Sequence, residues 1–429
     1  MAVATDSAPP TDGDIFVAPQ NGPTQDGPMI LDPKGRLVWF HATPVDQQLL
    51  TTDFRVSKLH GHRVLTWWEG STNRGSGRGV GVIYNRRYRK VATVHAGNGL
   101  EADLHEFMVT NKGDAWMIAA SPVSLPGLSR PVIDSVVQEV DIKTGLVLFE
   151  WHSLDHVALS ESYKYTANQP GHVVDPYHLN SISLDRAGNV IVSMRNTSAV
   201  YKLDRRTGRI IWRLGGTRSS FKMGPGTSTG FQHSVTVHPD GTLTIFDNGA
   251  GPPKVHPYSR GIRISLNTRK MTATLVQTYD HSPTISANFE GGVQKLAGGQ
   301  AFLGYGQRPY FTQFDSAGQE DFDARFVTAN SSYRAYRFKW SAKPQSPPAV
   351  AAARSGAAVT VWASWNGATG VARWRVLAGP RPGSLRPVTV VRKRGFETAA
   401  TIPARSYVAV QALGAKGRVL GRSRAVAAT

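Results

Sequence analysis

Three histidines stand at one recurring place in this chain. His105 lies eight residues before Gly113, His233 eight before Gly241 and His178 ten before Gly188, and each glycine sits in a short polar turn between apolar runs. Arg195 follows Gly188 by seven residues, and Asn248 follows Gly241 by seven. The strand after each turn therefore returns a polar side chain to the level of the histidine. If the turns belong to equivalent units, three imidazoles and a guanidinium face one space. Imidazole is a nucleophile or proton carrier near neutral pH, and guanidinium grips an oxyanion with two donors. Such a ring suits a multiply charged oxyanion. Three histidines also match zinc sites that leave one position open, with Glu106, Asp175 or Asp53 as outer partners. The guanidinium opposes a cation, so no metal and no cofactor is expected.

The elements that must carry these residues are hairpins. "VTNKGDAWMIA", "LDRAGNVIVSM" and "VHPDGTLTIFD" each place a glycine after short polar residues and before an apolar or alternating run. Glycine there supplies the positive φ that a tight hairpin demands. The turn glycines Gly61, Gly113, Gly188, Gly241 and Gly299 are 52, 75, 53 and 58 residues apart. A second hairpin type, "VDIKTGLVLFEW", "LDRRTGRIIWRL" and "LNTRKMTATLVQ", interleaves at steps of 63 residues. Two hairpins per period make a four-stranded antiparallel unit, and no helical pattern competes with it. Asp53 and Gly291 take the histidine position in the other two units.

"GPMILDPKGRLVWF" near the start and "SYRAYRFKW" near the end supply strands that would complete a sixth unit by joining the two ends of the chain. The expected fold class is all-β: a six-bladed β-propeller over residues 1–344. After the linker "SAKPQSPPAV", residues 345–429 read as a small immunoglobulin or fibronectin-like β-sandwich with a turn at Asn366-Gly367.

The bulk composition removes several classes of function. The 429 residues include no cysteine, which excludes disulfides, thiolate nucleophiles and thiolate metal sites. Net charge is +19, concentrated toward the end: from Ser346 onward 13 basic residues face the single acid Glu397. The arginines are scattered along strands without a stacking array, so no nucleic-acid partner is expected. No apolar run is long enough for a membrane helix, so a soluble chain without a membrane partner is expected. The start, "MAVATDSAPPTDGDIF", has neither the basic nor the apolar region of a signal peptide.

Against that background, "LHEFMVT" around His105, the block "HLNSISLDRAGNVIVSMRNTSAVYKLDRRTGRIIWRLGG" from His178 to Gly216, and "FQHSVTVHPDGTLTIFDNG" resemble the arylsulfotransferase family. The resemblance runs from about Asp26 to Trp340 and is most specific in the middle block. It implies a six-bladed propeller that moves a sulfuryl group from a phenolic sulfate ester to a phenol without a nucleotide donor. The absence of a G-x-x-x-x-G-K-[ST] loop agrees. It further implies His233 as the nucleophile, with His105, His178 and Arg195 around the sulfuryl oxygens. Export is implied too, which makes the chain secreted or extracytoplasmic with its leader removed.

Asn180, Asn248, Tyr177, Tyr305 and Tyr310 are the candidate substrate contacts, the tyrosines as stacking surfaces for an aryl group or else as packing between sheets. A homodimer is the assembly left open. Two other readings stand beside the transferase. One is a diverged lyase, cyclase or binding protein for a phenolic or anionic natural product. The other is a noncatalytic surface module.

Overall fold

The computed structural model describes residues 1–7, 13–22, 25–44, 49–73, 75–164, 173–251 and 254–429. Among these residues the chain is all-β, and its strands form seven sheets. No helix among them is long and apolar enough to cross a membrane.

Six strands face a common axis: β1 (Leu50–Leu59), β2 (Ala102–Val109), β3 (Leu179–Leu184), β4 (His233–Val237), β5 (Gly292–Lys295) and β6 (Ala335–Phe338). Each leads outward through antiparallel neighbours. From β3 the order is Val190–Met194, Ala199–Leu203 and Ile210–Gly215. The β1 and β2 units are joined into one eight-stranded sheet by the pairing of Gly79 with Ala102. Consecutive inner strands touch from β1 to β6, and β6 touches β1, so they close a ring.

Closure uses both ends of the sequence: β6 pairs with Asp14–Val17, which pairs with Met29–Leu31 and then Leu37–Phe40. That arrangement ties the first strands of the ring to the last.

The hairpin glycines lie where the spacing puts them. Gly241, with φ +80° and open space where a Cβ would point, is required by its backbone angle rather than by crowding. Apolar residues alternate along the strands and interlock between sheets, as where Trp116 and Trp151 pack with Tyr177 and Tyr201.

The inner strands are irregular where they carry polar residues. Pairing slips between Thr52 and Arg55 in β1, opposite Met117 and Ala119 in β2, between Leu179 and Ser181 in β3, and between His233 and Thr236 in β4. A bulge of this kind turns a side chain away from the ordinary alternation. Asp53, His178, Ser234 and Glu290 also adopt left-handed φ angles between +53° and +63°.

These bulges gather a buried ion network on the axis. Arg334 Nη1 donates to Asp53 Oδ1 at 2.9 Å and to Glu106 Oε2 at 3.1 Å, while Nη2 donates to the Asn180 carbonyl at 2.9 Å. Arg55 pairs with both carboxylates, and the Tyr336 hydroxyl donates to Asp53 Oδ1. Burial would push Glu106 up, but Arg334 and Arg55 outweigh it and hold the carboxyl below its ordinary range.

The remaining two sheets lie beyond β6. Ala349–Ser355, Ala358–Ser364 and Glu397–Pro403 form one, and Arg373–Gly379, Arg386–Arg392, Tyr407–Leu413 and Val419–Arg422 form most of the other. They share a core that includes Val361, Trp374, Val376 and Val410. The Asn366-Gly367 turn is their tether: the Asn366 side chain bonds the Phe40 backbone at both N–H and C=O, and Gly367 N–H donates to the Val38 carbonyl at 2.8 Å.

Removing Arg334 leaves two buried carboxylates with only the partly exposed Arg55 as counter-charge among the described residues. Arg334→Leu should therefore lower the unfolding free energy by about 3–5 kcal/mol, read from denaturant midpoints. A loss under about 1 kcal/mol would mean that the network does not hold the ring.

Candidate functional site

The axis opens into a cavity of about 800 Å³ whose wall includes His105, His178, His233, Arg195, Asp175 and Glu290. The first four are the residues singled out by the repeat spacing, and they come from β2, the start of β3, the turn after its neighbour, and β4. That volume suits a small organic ligand.

His233 opens β4 and is buried. Its Nδ1 lies 2.7 Å from Asn248 Oδ1, and Asn248 spends its amide hydrogens on the carbonyls of Ala287 and Glu290, at 2.7 and 2.9 Å. The asparagine oxygen can only accept, so the proton belongs on Nδ1 of His233 and the lone pair on Nε2. Nε2 in turn accepts the Glu290 N–H at 3.3 Å. Burial, then the positive charge of Arg195, holds the His233 pKa well below the usual histidine value, against the bond to Asn248. The ring is a neutral base at neutral pH.

The other two imidazoles are backed by carboxylates. His178 Nδ1 meets Asp175 Oδ2 at 2.5 Å and its backbone N–H donates to Asp175 Oδ1 at 2.8 Å, while His105 Nδ1 meets Asp103 Oδ1. The His105 and His178 rings stand edge to face, 4.7 Å between centroids. Burial lowers the His178 pKa more than Asp175 raises it.

Arg195 supplies positive charge. Its N–H donates to the His178 carbonyl at 3.0 Å, and its guanidinium lies over the Phe231 ring, 4.3 Å from the centroid. Its side-chain donors reach Asn196 Oδ1 and the Asn288 carbonyl, and among the described residues it forms no salt bridge. Burial lowers its pKa to about 10, so it remains charged at neutral pH. Lys164 stands over the other reach of Phe231, 5.5 Å from its centroid, and adds a second cation to the wall.

The remaining sequence-based candidates lie elsewhere. Asn248 stands behind His233 and orients it. Asn180 is buried in the axial network, with its amide donating to the Gln232 carbonyl. Tyr177 packs in the core and donates its hydroxyl to the Val157 carbonyl. Tyr305 is fully buried against Phe246 and His281. Tyr310 sits beside Arg325 and His281. Among the described residues none of these tyrosines lines the cavity, and each packs between sheets, the other of the two roles expected for them.

Sequence reasoning missed Glu290 and Asp103 and saw Asp175 only as an outer partner of a metal. The pattern Asp-x-His at Asp103–His105 was a usable signal, since an acid two residues before an imidazole can curl back onto it. Glu290 adjoins Gly291, which was taken only as a unit lacking histidine.

With the geometry in view, two kinds of relative are informative. The profile of the family described as arylsulfotransferase (ASST) matches residues 55–327, more than half of the chain. No curated protein matches. Among solved structures, the chain is similar to a protein of unknown function from Bacteroides caccae at 12% identity, TM-score 0.46, covering 75% of this chain and 98% of that one. It is also similar to the Pseudomonas aeruginosa periplasmic gluconolactonase PpgL at 12% identity, TM-score 0.41, covering 97% and 96%. Virginiamycin B lyase from Staphylococcus aureus is similar at 12% identity, TM-score 0.37, covering 85% and 95%.

At pH 6 the His233 ring should remain neutral with its proton on Nδ1, where a free imidazole of pKa about 6.5 is mostly charged. Asn248→Asp sets a carboxylate against Nδ1 and should raise the His233 pKa toward or above the ordinary value. Nitrogen chemical shifts of the histidine side chains across a pH series read both. Titration of His233 above pH 6.5 in the unsubstituted protein would contradict the assignment.

Proposed function

The chain belongs to the arylsulfotransferase family, and on that premise we propose that it is a PAPS-independent sulfotransferase. It moves a sulfuryl group from a phenolic sulfate ester to a phenol, by a ping-pong route through a sulfohistidine at His233. The observation that carries the reading is the fixed tautomer of His233: Asn248 holds Nδ1–H, and the Nε2 lone pair, which accepts only the long Glu290 N–H bond, lies at a cavity lined by Arg195.

Sulfuryl transfer resembles phosphoryl transfer, in which positioning and charge stabilisation matter more than covalent assistance. The donor is an anion, and Arg195 with Lys164 draws it into the cavity. Nε2 of His233 attacks sulfur, the bond from sulfur to the aryl oxygen breaks, and the phenolate departs with that electron pair. The ring, now sulfated on Nε2, gains positive charge that Asn248 Oδ1 meets through Nδ1–H. Arg195 offers donors to the sulfuryl oxygens. His105 and His178 border the same space, their Nδ1 atoms held by Asp103 and Asp175. A phenol afterwards attacks sulfur from the vacated side and restores His233.

The closed ring of β1 to β6 supports a six-bladed propeller over residues 1–344 as the catalytic unit, and the two sheets on one core support an immunoglobulin-like sandwich over 345–429. A small phenolic sulfate and a phenol are the partners in this reading, and an extracytoplasmic location goes with the family.

Incubation with 4-nitrophenyl sulfate should release yellow nitrophenolate in a manner that depends on added phenol, and His233→Ala should lower the rate by about 10⁴-fold or more. Peptide mass spectrometry at alkaline pH after donor addition should find the sulfuryl group on His233. An unmodified peptide in turning-over enzyme excludes the covalent route, and no release with any acceptor favours a diverged lyase or binding protein.

A further inference from the structure

Two carboxyl groups border the cavity among the described residues, Asp175 and Glu290. Asp175 is committed to His178 through its side chain and backbone. Among the described residues the buried Oε2 of Glu290 has no hydrogen-bond partner. Its position is nonetheless closely determined. The Glu290 N–H donates to His233 Nε2 and its carbonyl accepts from Asn248 Nδ2. Its φ of +63° is left-handed, an uncommon and strained state for a residue with a side chain. Gly306 makes the conformation fit, since a Cβ there would fall 2.4 Å from Glu290 Cβ. A strained residue fixed from both sides of its peptide, beside the nucleophile, and holding an unpaired carboxyl needs a chemical explanation.

We propose that Glu290 is the proton carrier of the transfer, donating to the departing phenolate in the first half-reaction and taking the proton of the incoming phenol in the second. The proposal rests on the sulfuryl-transfer reading. In the first half, Nε2 of His233 forms the bond to sulfur, and the electron pair of the breaking sulfur–oxygen bond passes to the aryl oxygen. That oxygen takes the Glu290 proton. The products are a neutral phenol, a Glu290 carboxylate, and a sulfohistidine whose ring cation balances the sulfuryl charge. The second half reverses each change with the acceptor phenol. Donor and acceptor are both phenols, so microscopic reversibility requires that one group give and regain the proton.

The protonation state suits that work. Burial raises the Glu290 pKa to about 7, against the positive field of His105, and a catalytic acid is most effective when its pKa lies near the working pH. Of the other titratable groups around it, His233 and His178 are held below the ordinary histidine value, Arg195 titrates near 10, and burial lifts Tyr333 well above its own.

The test compares Glu290→Gln with the unsubstituted enzyme on two donors. Nitrophenolate is stable enough to leave without a proton, whereas phenolate is not. The variant should raise the kcat/KM ratio of 4-nitrophenyl sulfate to phenyl sulfate by about 10²-fold or more. In the unsubstituted enzyme, kcat/KM for phenyl sulfate should fall as pH rises through about 7; that limb should vanish in Glu290→Gln and return in Glu290→Asp, which keeps an acid. An equal loss on both donors, or a limb that persists in Glu290→Gln and so belongs to another group, overturns the proposal while His233 still becomes sulfated. Failure of His233 to become sulfated in the unsubstituted enzyme overturns the sulfuryl reading and this proposal with it.

Discussion

The Arg334 guanidinium is the contact on which the architecture turns. A ring of sheets has its weakest packing at the axis, where inner strands diverge and ordinary side chains leave a hole. Here one buried cation, immediately before β6, bonds Asp53 of β1, Glu106 of β2 and the Asn180 carbonyl of β3. Four inner strands thus share one charge centre. Because Asp53 and Asn180 sit in bulges, the irregularities that would weaken a flat sheet are what aim the partners inward.

The same construction sets the site. His105 adjoins Glu106 and His178 comes two residues before Asn180, so the network's members and the cavity's imidazoles lie on the same short stretches of β2 and β3. Anchoring one anchors the other. The outer partners then decide chemical state: Asn248 fixes the tautomer of His233, while Asp103 and Asp175 orient the other two rings. A base, two carboxylate-backed imidazoles and an unpaired guanidinium arise from residues that are individually common, made distinct by what lies behind each.

Much of this was legible in the sequence, and for a physical reason. Hairpin turns need glycine at positive φ, so turn spacing reports the repeat, and equivalent positions of a closed ring meet at its axis. That logic led to His105, His178, His233 and Arg195, and it paired Asn248 with His233 through their offsets about one glycine. It failed where side-chain direction is set by neighbours in space. Tyr177 precedes His178 by one residue and faces the core. Glu290 owes its position to Gly306, to His233 and to Asn248, none of which is close to it in sequence. Asp53 shared the histidine position, but its partners Arg55 and Arg334 drew it into structure instead of chemistry.

The axial network also governs traffic. Arg55, Glu106 and Arg334 border a separate cavity of about 400 Å³ that does not share a wall residue with the larger one. The side chains of the network thus separate the two cavities. In the proposed transfer, a spent donor would leave on the same side of the network from which a fresh acceptor arrives, so the order of visitors would be imposed by plumbing as much as by reactivity.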